Sequence, residues 1–244
     1  MNLNFRLLLW IGVFAVAMAF LESAAVVYLR AIYYPEGFAF PLKVLNHQIA
    51  VTELLREAAT MIMLVIVAFL VQKEALSRFA IFIYTFAVWD IFYYLFLYFL
   101  LSWPPSLFTW DILFLIPVMW VGPVLAPLIN SLTMIILALL ILSSVTNNQG
   151  FRLRWFEWIL IIAGSVITII AYTQPYFHYL LDKFTLRDIF LPGSYKEIME
   201  YSMNFIPLNF NWYLFGFAEL LFLYSIGRIF LRTSLSRSGD HQAI

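Results

Sequence analysis

At 244 residues, 64% hydrophobic and 11% charged, the chain has too little polar surface to cover a water-soluble globule, where about a quarter of residues carry charge. Basic and acidic residues balance at 14 each, so there is no overall positive field to attract nucleic acid, and nucleic-acid binding is set aside. Cysteine is absent, which excludes disulfides, thiolate catalysis and cysteine-held zinc. The histidines His47, His178 and His241 lie too far from span centres for a paired-histidine haem or a di-iron centre, so no cofactor is predicted.

Lipid is the solvent such a composition needs. The expected fold class is an all-α polytopic membrane protein, a single domain over residues 1–244 in contact with the bilayer. Six hydrophobic spans are read at residues 7–29, 49–72, 79–101, 124–145, 155–172 and 210–231. Ahead of the first stands Arg6, and Ala17-Met18-Ala19 within it imitates a signal-peptidase site. Apolar character continues past that triplet to Leu29, so an uncleaved first helix is expected; cleavage would leave five spans.

Basic residues fall on alternate sides: Arg6, then Lys73 and Arg78, then Arg152 and Arg154, then Arg228, Arg232 and Arg237. The positive-inside rule turns these toward the cytoplasm, with both termini inside, and short loops suggest a bacterial inner membrane. Trp10, Trp103, Trp110, Trp155, Trp158 and Trp212 sit near span ends, where indole rings anchor to the headgroup region.

The stretch 110–145 would run about 54 Å as one helix, overshooting a hydrocarbon core of ~30 Å. Pro117, Gly122-Pro123 and Pro127 must break it. A short outer half-helix over 110–120 is predicted before the true fourth span, with freed carbonyls that need protein or water as partners. A plain proline kink is the alternative. Residues 176–209 mix charges with aromatics and are expected to cap the outer surface. Within them Ser194 and Glu197 match a capping box after Pro192-Gly193, predicting a helix over 195–203.

Glu22, Glu53, Glu57, Asp90 and Glu219 fall inside spans, and Asp111 lies at the outer edge of the broken helix. A carboxylate at a bilayer centre costs about 3 kcal/mol on insertion scales, so each needs a compensating environment. Counting residues places Glu22 and Glu57 about 7–8 Å below the outer boundary, Glu53 near it, and Asp90 and Glu219 near the midplane.

Glu53, Arg56, Glu57 and Thr60 form one polar stripe at helical spacing, and a single guanidinium cannot neutralise all the nearby acids. Tyr93, Tyr94 and Tyr98 lie on or near the Asp90 face, where their hydroxyls would bond to it. The small residues Ala15, Ala19 and Ser23 form a ridge predicted to draw Glu22 toward the second helix. Glu22, Glu53, Arg56, Glu57 and Asp90 are thus expected to converge beneath the outer loops, with Asp111 and His47 or His178 at the rim. The competing expectation is structural, with the same groups as interhelical salt bridges that fix register, and for Glu53 or Glu219 alone it is preferred.

The sequence holds no His-Glu-x-x-His, Gly-x-Ser-x-Gly, phosphate-binding loop or aspartate-rich diphosphate box, and no lysine within a span. Three functions stay open. The best-supported is binding or transport of a proton, a cation or a cationic small molecule by the carboxylate cluster. The others are an intramembrane enzyme acting on a lipid or isoprenoid, and a subunit or assembly factor docking other membrane subunits through residues 176–209.

Overall fold

The computed structural model describes residues 5–43, 45–116, 118–148, 150–190 and 195–241. Helices α1 (Phe5–Tyr33), α2 (His47–Val71), α3 (Ala75–Leu101), α4 (Leu125–Asn147) and α5 (Trp155–Leu181) are followed by the short α6 (Leu186–Phe190) and α7 (Tyr195–Ser202), then α8 (Trp212–His241). Six of these are long and apolar enough to cross a membrane: α1 to α5, and α8 over Trp212–Ser234. Backbone groups satisfied within each segment make a helix viable in lipid.

The sequence reading ends the fifth span at 172, ahead of Pro175, which removes an intrahelical donor. In the structure α5 runs on through Pro175 to Leu181. Packing overrides propensity here, because Tyr176 and Leu180 are buried against Phe184 and Phe205.

The central helix is α3, which packs on α1 and α4 and, less extensively, on α2; α5 pairs with α8, and α8 also reaches α4. Ala80 and Ala87 of α3 and Ala138 of α4 are fully buried. Such small side chains let helices approach where lipid supplies no hydrophobic drive between them. The α5–α8 contact depends on Gly164, where a Cβ would stand 2.9 Å from the Phe222 ring. Gly164→Ala is therefore expected to lose about 1 kcal/mol by overpacking. Thermal unfolding in detergent checks this, with Gly227→Ala as the control, since a Cβ there meets nothing within 4 Å.

The half-helix predicted over 110–120 does not form, so the fold is mostly helical rather than all-α. Instead β1 (Trp110–Phe114) and β2 (Trp120–Pro123) pair antiparallel, with Trp110 opposite Pro123, Asp111 opposite Gly122, Ile112 opposite Val121 and Phe114 opposite Trp120. The register shifts between Ile112 and Phe114. Trp, Ile, Phe and Val favour a pleated surface, and Pro123 ends β2, whereas Pro127 breaks nothing and sits in the first turn of α4, where no intrahelical donor is lost. Pro117 itself lies outside the described residues.

The Phe114 ring stacks 6.2 Å from Phe86, in the middle of α3, so the hairpin descends into the bundle. Non-helical backbone at such depth survives only when protein or a wet cavity surrounds it. The hairpin meets this condition, since Val121, Gly122 and Pro123 are buried and Trp120 stacks on Tyr172 of α5. A Cβ on Gly122 would stand 3.1 Å from the Tyr172 ring, so glycine allows the approach. α4 starts directly after β2, close to the predicted start of the fourth span.

At the same end, α6 and α7 form the cap. The predicted helix over 195–203 is α7, while Ser194 of its predicted capping box lies outside the described residues. A reciprocal box exists instead at α6, where the Thr185 N–H and hydroxyl donate to Asp188 and the Asp188 N–H donates back to Thr185 Oγ1. These bonds hold the exposed Asp188 carboxyl below its ordinary range. Phe205, Tyr176, Leu180 and Phe184 join Val121 beneath the cap and seat it over the hairpin. At the opposite end lie Lys73, Arg78, Arg152, Arg154 and Arg232, where Arg232 donates to the buried Glu157 at 2.8 Å and to the Arg152 carbonyl at 3.1 Å.

Candidate functional site

The polar stripe of α2 is the site's first wall. Arg56 grips Glu53 with Nε at 2.9 Å and Nη2 at 2.7 Å, while its Nη1 bonds to Glu22 of α1. Thr60 Oγ1 donates to the other Glu22 oxygen at 3.1 Å. One guanidinium fork thus serves two carboxylates on two helices, which charge-assisted bonding favours.

The small-residue ridge does not bring α1 against α2. Ala15, Ala19 and Ser23 are fully buried, and Ser23 Oγ donates to the Tyr93 carbonyl of α3 at 3.1 Å. A ridge of small residues goes to the most crowded neighbour, here the central helix. Glu22, beside the ridge, is left facing α2 across a gap that its bonds to Arg56 and Thr60 span.

Glu57 comes next along the stripe and faces the hairpin. Its Oε2 accepts the Leu115 N–H at 2.9 Å, which satisfies a backbone donor at the hairpin tip. Nearer the base of the hairpin, Asp111 accepts from the Tyr94 hydroxyl at 3.1 Å and lies 3.6 Å from Arg30 Nη2. Burial pushes the Asp111 carboxyl up to about 6, with Arg30 and Tyr94 pulling it the other way. Arg30 is held by aromatic faces, its guanidinium carbon 3.8 Å from the Trp103 centroid and 4.6 Å from that of Phe38.

Asp90 takes its hydrogen bond from Ser131 of α4 at 2.8 Å rather than from the tyrosines of its own helix. Tyr94 is turned to Asp111, and Tyr98 is 56% exposed on the outside of the bundle. Tyr93, Arg30, Arg56, Asp90 and Asp111 face a common centre.

That centre is a cavity of about 800 Å³ between α1, α2, α3 and the hairpin. Glu22, Glu53, Arg56, Glu57, Asp90, Asp111, Tyr93, Tyr94 and His47 all line it, and His178 and Tyr98 do not. His178 is exposed on α5. Glu219 is also elsewhere, buried between α8 and α4 with Thr133 Oγ1 donating to it at 2.7 Å. Sequence reasoning missed Arg30, Ser131 and the Leu115 N–H. Arg30 carried one usable signal, its place two turns beyond Glu22 on the same face of α1.

Six carboxylates line the cavity, those already described and Glu200, against Arg30, Lys43 and Arg56. Among the described residues Asp90 and Glu57 have no ion pair, and no three His, Asp or Glu side chains come together to hold a metal. The remaining walls are largely aliphatic and aromatic, including Val26, Leu54, Leu113, Phe114 and Met119. Chemically this is an apolar chamber with an excess of acceptors that are spread around it. No protein-family model, curated protein or solved structure matches this chain.

Proposed function

We propose that the cavity binds a small organic cation with an apolar body, received at the end opposite the basic fringe, for passage into or across the membrane. The observation that carries this reading is the pairing of about 800 Å³ of mostly apolar space with two carboxylates, Asp90 and Glu57, that form no ion pair among the described residues. A volume of that order suits a drug-sized ligand fixed by a few polar groups. A hard metal cation instead needs about 6–8 oxygens converging within ~2.6 Å. Here Glu22, Glu57, Asp90 and Asp111 sit on four different elements, each tied to a different partner.

An ammonium donating to a desolvated carboxylate gains about 1.5–3 kcal/mol, or roughly 10- to 150-fold in affinity. Octylamine titrated into the detergent-purified protein at neutral pH is thus expected to bind. Asp90→Asn and Glu57→Gln, which keep acceptors for Ser131 and Leu115, are each expected to weaken it about tenfold or more. Glu219→Gln, outside the cavity, is the control and should bind as the parent does. Unchanged affinity in both cavity variants would refute the proposal.

The apolar walls also support a second reading, an enzyme acting on a lipid or isoprenoid with Asp90 as its proton-handling group. It requires turnover. A changed lipid in reconstituted vesicles, lost in Asp90→Asn, would favour it over binding and passage.

A further inference from the structure

Arg30 departs from the cation-binding pattern. It is 8% exposed, yet its guanidinium makes no hydrogen bond among the described residues, and its Nη1 is buried with no acceptor. Arg30 Nη2 pairs with Asp111 Oδ1 at 3.6 Å, too long to be a hydrogen bond, while Tyr94 donates to the other Asp111 oxygen. Trp103 and Phe38 hold the fork by its faces, so further bonds can form only along its edge. A buried guanidinium with an unfilled donor is costly even beside a counter-charge, and the group its fork is shaped to receive is a planar or tetrahedral anion.

The same fork lines the cavity that holds the unpaired carboxylates. Tyr94, which bonds Arg30's partner Asp111, stands one helical turn beyond Asp90 on α3, about 6 Å along the axis. An anion-binding group on α1 and an ammonium acceptor on α3 thus line the same cavity. Building on the cation-binding reading, we propose that the ligand is a zwitterionic amphiphile: its anionic oxygen sits on Arg30, its ammonium on Asp90 or Glu57, and its apolar chain along the aliphatic wall. A phosphoethanolamine headgroup on a lipid chain has this chemistry.

Four soluble probes test it by calorimetry on the detergent-purified protein: octylamine, octyl phosphate, the octyl ester of phosphoethanolamine, and phosphoethanolamine with no chain. The ester is expected to bind the parent protein at least about tenfold more tightly than any of the other three. In Arg30→Gln its preference over octylamine should shrink to within about twofold, and Arg30→Lys should restore part of it. Equal binding of ester and octylamine overturns the zwitterion while leaving the cation-binding reading intact. Equal binding of ester and bare headgroup overturns the amphiphile. Failure of both octylamine and the ester to bind overturns the cation-binding reading and this inference with it. If Arg30→Gln does not fold, the four-probe comparison on the parent chain still decides.

Discussion

Arg56→Met is expected to lose about 3 kcal/mol of stability, the lower end of what breaking a buried ion pair costs, because the side chain keeps 24% exposure. The damage comes less from the bonds lost than from what they leave behind. Glu22 and Glu53 are each about 11% exposed, and without the guanidinium both carboxylates stay desolvated and unpaired. Glu22 is also the polar tie from α1 across the cavity to α2, so the two helices are expected to separate first at the cavity. Thermal unfolding in detergent should show the loss, and the triple variant Glu22→Gln, Glu53→Gln, Arg56→Met should recover most of it, since neutral amides need no counter-charge. A triple variant as unstable as the single one would show that packing of the Arg56 stem, rather than charge, is what matters.

Glu57→Leu is expected to cost about 1–3 kcal/mol by leaving the Leu115 N–H without an acceptor in a low-dielectric setting. Glu57→Gln retains an acceptor oxygen and should lose well under half as much. The effect should be local. Hydrogen exchange followed by mass spectrometry should speed up over residues 110–123 in the leucine variant and stay near the parent rate in helices α5 and α8. Uniform acceleration across the bundle would mean that Glu57 supports α2 rather than the hairpin.

These effects divide between what the sequence shows and what it hides. The six long helices are legible because hydropathy over about 20 residues is a strong local signal, and the α2 stripe is legible because 3.6-residue periodicity places Glu53, Arg56, Glu57 and Thr60 on one face. The hairpin is not legible. Ile112 to Met119 is an apolar run with no decisive period, and Pro117 and Pro123 mark strand ends as readily as helix breaks. Partner choice is hidden for a different reason. The ridge at Ala15, Ala19 and Ser23 announces a close neighbour without saying which, and Asp90's hydroxyl partner could be found only once α4 was seen to bring Ser131 beside it. The importance of Arg30 depends on Trp103, Phe38 and a hairpin aspartate that only the tertiary fold assembles.

The absence of cysteine provides a clean test of the central claim, that one cavity open to the side opposite the basic fringe receives an organic cation. Ala50 of α2 lines that cavity. In sealed vesicles of known orientation, Ala50→Cys should react with a membrane-impermeant maleimide only from the side opposite Arg152 and Arg154. Octylamine should slow the labelling in a saturable way, and Asp90→Asn in the same background should remove that protection. Labelling from the Arg152 side, or at a rate indifferent to octylamine, would contradict the account.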